Sequence, residues 1–155
     1  MLHNESRYIM EEIQKWTRRL LVEYCMFWLI ALLLVAAFEC GWLEEGGLVG
    51  QDRWEFALET ASILLTLALI PGALRLFSRK VLTWRALPLL EALKAYHRWN
   101  LIRLIMLAVI AWGNLVLYYL TLNNIGGLCA LLACLAALFC VPGKRKLMNE
   151  LEITE

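Results

Sequence analysis

Few residues in this sequence have chemistry to offer: five cysteines, two histidines and fourteen acids. Cys40 lies in the stretch FECGW, between an acid and a tryptophan, where a long apolar run ends. Threading the later apolar runs brings Cys129 to the same level, so Cys40 and Cys129 form the candidate redox pair of a membrane thiol oxidoreductase. A relay would need a second pair, and Cys25, Cys134 and Cys140 do not supply one. No CxxC spacing occurs, which removes zinc-type and thioredoxin-type sites. His3 and His97 both fall outside the apolar runs, so one chain cannot build a bis-histidine haem site. No metal and no cofactor is expected. Val35-Ala36-Ala37 looks like a peptidase motif, but a long segment holding several acids precedes it, unlike a compact signal n-region. Glu39 stands where a lipobox needs a small residue, and EEGG lacks the lysine and hydroxyl of a phosphate loop.

A polar constellation is more informative. Glu55, Glu59, Ser62 and Thr66 recur on one helical face. Asn100, Arg103, Asn114, Tyr118 and Thr121 share another. At about 1.5 Å of rise per residue, Ser62 matches Asn114 in depth and Glu59 matches Tyr118. Near the opposite boundary Glu23 matches Arg103. The expectation is a cluster of Glu59, Ser62, Asn114 and Tyr118 in the outer half, and an inner ion pair of Glu23 with Arg103. Such a cluster serves either as a vestibule for an ion or small solute or as interhelical glue. Glue is favoured, because no acid reaches the midplane. No nucleophile–base pair stands out, which leans against an enzyme.

The elements that position these residues follow from composition. Of 155 residues, 61% are hydrophobic, and the mean hydropathy is +0.62. A soluble domain holds roughly 45–50% apolar residues, so the excess calls for a second solvent. Four apolar runs, at about 20–38, 56–76, 101–122 and 125–141, have the length of membrane-crossing helices. In lipid the backbone must satisfy its own hydrogen bonds, so spans are helices. The expected fold class is an all-α integral membrane bundle of four transmembrane helices, one domain over residues 1–155. Between spans, residues 41–54 form an acidic loop that Gly46 and Gly47 let turn, 78–98 form a basic connector, and LNNI makes a tight turn. Segments 5–19 and 87–98 read as amphipathic helices, on the membrane surface or extending a span. Pro71 predicts a kink. Gly126, Ala130 and Cys134, and Cys129, Ala133 and Ala137, repeat every four residues, a spacing that lets helices approach closely.

Fourteen of the fifteen basic residues fall on one side of this threading, with Arg53 alone on the other. Positive charge stays in the cytoplasm, so both termini are expected there. The acidic side carries Glu39, Glu44, Glu45, Asp52, Glu55 and Glu59. Trp42 and Trp54 read as headgroup anchors at that boundary, with Tyr118 and Tyr119 near it, and Trp16, Trp84 and Trp99 at the other. The basic segments suit anionic lipid headgroups, and no nucleic acid is expected.

At RWNLIRL, YYLTLNN and LFCVPGKRKL the chain is similar to small four-span proteins of unknown function from gut Bacteroidales. The resemblance implies a bacterial inner membrane and no activity. The function expected is that of a non-catalytic accessory or assembly subunit, working with a membrane protein partner or as a homo-oligomer. The alternatives are a small transporter or channel built on the polar cluster, and the thiol oxidoreductase.

Overall fold

The computed structural model describes residues 2–84 and 86–151 and is all-helical, with no strand among the described residues. The helices are α1 (Leu2–Glu39), α2 (Asp52–Trp84), α3 (Leu89–Thr121), α4 (Asn124–Leu138) and α5 (Lys144–Leu151). Arg85, one of the basic residues counted above, lies outside the described residues. At 38 residues α1 runs about 57 Å, far more than the roughly 30 Å of a hydrocarbon core. Segments 5–19 and 87–98 are therefore not separate surface helices. Residues 5–19 and 89–98 are the first turns of α1 and α3, projecting beyond the apolar stretch, and residues 87 and 88 belong to the link before α3. The basic connector is mostly helix too, and only residues 85–88 link α2 to α3. α2 runs through Pro71 without interruption.

Three helices, α1, α2 and α3, are long and apolar enough to cross a membrane. α4 is shorter than the expected run 125–141, with 15 residues and about 22 Å of rise. Its early end has a local cause. Pro142 disfavours helical geometry at the residue before it, and Lys146 Nζ donates to the Phe139 carbonyl at 2.7 Å, capping the negative end of the helix.

α3 is the central helix, packed against α1, α2 and α4. Its most apolar stretch is 44% buried, against 17% for α1 and for α2. Two cores result. At the basic end, Ile13 and Leu20 of α1 meet Phe77, Val81 and Trp84 of α2, Leu93 and Tyr96 of α3, and Leu147 and Met148 of α5. In the apolar section, Phe27, Leu104, Leu107 and Ala108 meet Ala133, Ala136 and Ala137 of α4. Outside the second core the surface is leucine: Leu32, Leu64, Leu67, Leu128 and Leu131 are all exposed. Trp84 is thus no headgroup anchor. It is buried, with Phe77, Tyr96 and Trp99 around its ring.

The acidic end is closed by backbone hydrogen bonds. α1 stops in a left-handed glycine cap: Gly41 has φ +72°, the Gly41 N–H donates to Phe38 O, and the Trp42 N–H donates to Ala37 O, each at 2.9 Å. The loop then folds back over α3. Gly46 N–H donates to Tyr119 O at 2.9 Å and Leu48 N–H to Leu120 O at 3.1 Å, satisfying carbonyls that the end of α3 leaves open. Gly46 (φ +71°) turns the loop, in line with its sequence role, but the other left-handed glycines there are Gly41 and Gly50 (φ +87°), not Gly47. Only Leu122 and Asn123 separate α3 from α4, with Leu122 in the left-handed region at φ 53°.

Candidate functional site

The polar side chains of α2 form a short ladder against α3. Glu59, Thr66 and Asn114 are buried and Ser62 half-buried, although they sit in an otherwise apolar section. Ser62 Oγ donates to Asn114 Oδ1. Asn114 Nδ2 donates to Ile110 O at 2.8 Å and reaches Thr66 Oγ1 at 3.3 Å. The Thr66 hydroxyl donates in turn to Ser62 O at 2.7 Å. The Asn114 amide is therefore engaged on both its oxygen and its nitrogen.

One rung of the ladder differs from the expected set. Asn123 Nδ2 donates to Glu59 Oε1 at 2.6 Å, so Glu59 is held from the α3–α4 turn and not by Tyr118. The Tyr118 side chain is drawn toward α4 instead. A Cβ on Gly127 would lie 3.1 Å from Tyr118 Cδ2, and one on Gly126 only 2.8 Å from both Asn114 O and Tyr118 N. Glycine at 126 is what lets α4 approach the α3 backbone this closely. Neighbouring Tyr119 stacks on Phe38 at 4.5 Å and donates to Glu39 Oε1 at 2.8 Å. Neither Asn123 nor the Tyr119–Glu39 pair was picked out from the sequence. For Asn123 the available signal was an asparagine in a turn of only two residues.

The inner pair is also different. Glu23 Oε1 lies 2.7 Å from His97 Nε2, while Arg103 donates to Asn100 Oδ1 and stands 3.8 Å above the Phe77 ring. Equal depth placed Glu23 and Arg103 on one level but said nothing of azimuth. His97 and Arg103 are six residues apart, so their faces of α3 differ by about 120°. α1 meets the His97 face, and Arg103 turns into the α2 side as a cation over an aromatic ring.

The two cysteines are not brought together. Cys40 is exposed at the end of α1, Cys129 is buried in the α3–α4 seam, and both thiols are free. Cys129 belongs to the small-residue face of α4 with Gly126, Ala130, Ala133 and Ala137. Cys134, grouped with that stripe by its spacing, is only half-buried. Among the described residues no group of three or more His, Cys, Asp or Glu side chains is arranged to hold a metal ion.

The larger open spaces lie elsewhere. A groove of about 220 Å³ runs between α1 and α3, walled by Met26, Phe27, Leu104 and Trp112. A wider recess of about 640 Å³ adjoins it at the basic end, walled by Lys15, Arg18 and Arg19. No family model, no curated protein and no solved structure matches this chain.

Proposed function

We propose that the chain is a non-catalytic integral membrane protein, acting as an accessory or assembly subunit through its helix surfaces. In this reading it has four spans, with both termini on the cytoplasmic side of a bacterial inner membrane. The observation that carries the reading is where the hydrogen bonds of the apolar section go. Ser62, Thr66 and Asn114 bond to one another and to the Ile110 and Ser62 carbonyls, and the outward faces carry leucine. Polar groups consumed by each other hold helices together and offer little to a passing solute. The open surface is instead an apolar groove, suited to a helix or a lipid chain.

The fourth span is supported by α5. Leu147 and Met148 share a core with Ile13 and Leu20, so the chain has returned to the basic end after α4. A 15-residue helix crosses by local thinning of the bilayer and by the apolar residues Phe139 to Val141 that follow it. The proposed orientation rests on the sequence threading, which puts fourteen of the fifteen basic residues on one side.

The test is purification of the full chain in mild detergent, followed by reconstitution in vesicles. A stoichiometric membrane protein companion or a defined oligomer, with ion flux equal to that of empty vesicles, is the expected result. A monomer whose flux falls in the Glu59→Gln variant would overturn the proposal in favour of a channel. For topology, an impermeant maleimide should label the exposed Cys40 from outside spheroplasts; labelling only after lysis reverses the orientation.

A further inference from the structure

The groove and the recess are one continuous feature. Val22 and Glu23 line both, so an apolar groove between α1 and α3 runs onto a basic face formed by α1 alone. From Val22 to Ile30 the groove follows α1 for about 12 Å, within the roughly 15 Å of one hydrocarbon leaflet. The basic face carries Lys15, Arg18 and Arg19 from α1, against the acids Glu11 and Glu23. Arg98 is exposed on α3 one turn before Leu101, which lines the groove, and adds a further cation on that side. Glu23 is engaged by His97 through one oxygen only. Its other oxygen, Oε2, is shielded from solvent and has no hydrogen-bond partner among the described residues. An oxygen so enclosed offers no surface to a ligand, and the role of Glu23 here is the contact to His97 that ties α1 to α3.

We propose that this feature binds one anionic phospholipid. One acyl chain lies in the groove against Met26, Phe27, Leu104, Ala108 and Trp112. The phosphate meets Arg18 and Arg19. Apolar length and positive charge at the mouth of the groove each match one part of that molecule. The inference rests on the membrane reading above and adds a specific site to it.

Native mass spectrometry of the full chain, released from mild detergent with phosphatidylglycerol, phosphatidic acid and phosphatidylcholine of matched chains, tests it. The expected result is one retained phosphatidylglycerol, preferred about tenfold or more over phosphatidylcholine, as two basic side chains beside one headgroup would give. The Arg18→Gln/Arg19→Gln variant should lose that preference. Ile105→Trp, placed at the exposed rim of the groove, should reduce retention of all three. Equal retention of phosphatidylglycerol and phosphatidylcholine by the unaltered protein, or an unchanged ratio in the double arginine variant, overturns the site. The arginine variant alters exposed side chains only, so its result stands even where Ile105→Trp fails to fold. Recovery of the chain in the aqueous phase without detergent would instead sink the membrane reading itself.

Discussion

The basic end and the apolar section of this molecule are built on opposite plans. At the basic end the inside is large and aromatic: Phe77, Trp84 and Tyr96 meet edge to face, with Trp99 and Lys80 closing over them. The outside there is charged. In the apolar section the inside is small, with Ala108 and Ala111 facing Ala133 and Ala137, and the outside is leucine. Water drives the first core together, because burying aromatic surface removes it from water. Lipid offers no such drive, so the second core depends on close approach and on a few internal hydrogen bonds. One set of long helices passes through both regimes, and the same residue type changes meaning along it.

The largest effect that would separate the regimes is at Trp84. Trp84→Ala removes the centre of the aromatic core and should lower the unfolding free energy in micelles by about 4 kcal/mol. A cost below about 1 kcal/mol would mean that the basic-end core contributes little to the fold.

A matched pair on α2 sharpens the contrast at about 3 kcal/mol. Leu64 and Leu82 are equally exposed, at 63% and 62%. Leu82 follows Arg79 and Lys80, whereas Leu64 lies between Ser62 and Thr66 in the apolar stretch. Leu64→Arg should impair membrane insertion by about 2.5–3.5 kcal/mol, the scale of a charge at the centre of a span. Leu82→Arg should be tolerated. Equal insertion of the two variants in a translocation assay would place both in the same solvent and erase the distinction.

How much of this was readable beforehand differs between the two regions for the same reason. At the basic end, Ile9, Ile13, Trp16 and Leu20 recur at helical spacing among charges, and that face is the one packed into the core. Hydropathy marks the inside wherever the outside is water. Between Leu101 and Thr121 most positions are apolar, so hydropathy marks neither face, and residue size becomes the signal. On the facing helix α4 the repeats Gly126, Ala130, Cys134 and Cys129, Ala133, Ala137 carried it, except at Cys134, which is only half-buried. Depth arithmetic brought Ser62 to Asn114, where both side chains are short and on facing helices. It misjudged Glu23, because depth along an axis leaves rotation about that axis free. It also missed Asn123, whose position depends on a two-residue turn whose backbone geometry is set by Leu122 in the left-handed region. The extent of α4 was misread for a local reason: apolar residues continue to Val141, but Pro142 ends the helix early.

The close approach of α4 predicts the next effect. Gly126→Ala would put a Cβ 2.8 Å from Asn114 O and Tyr118 N, both backbone atoms that cannot rotate away. The expected loss is about 2 kcal/mol, with α3 and α4 pushed apart. Gly113→Ala, where an added Cβ meets nothing within 4 Å, is the control and should be neutral or slightly stabilising. If both variants behave alike, the small-residue seam does not govern packing in the apolar section.

The smallest effect lies in the hydrogen-bond ladder, and it bears most directly on what the ladder is for. Asn114→Ala removes the acceptor for Ser62 and the contact to Thr66. Thr66 keeps its bond to Ser62 O, so only one hydroxyl must find a new partner. Interhelical hydrogen bonds in membranes average about 0.6 kcal/mol and rarely exceed 1.7 kcal/mol, so the expected loss is about 1 kcal/mol. Glu59→Gln should cost no more, because the amide oxygen still accepts from Asn123. A structural ladder predicts these modest losses in unfolding assays and no change in vesicle ion flux. A much larger loss would mean that Asn114 and Glu59 respond as one coupled network, which the double variant reveals as non-additivity. Unchanged stability with altered flux would give the ladder a transport role and draw the apolar section's internal polar groups out of the category of glue.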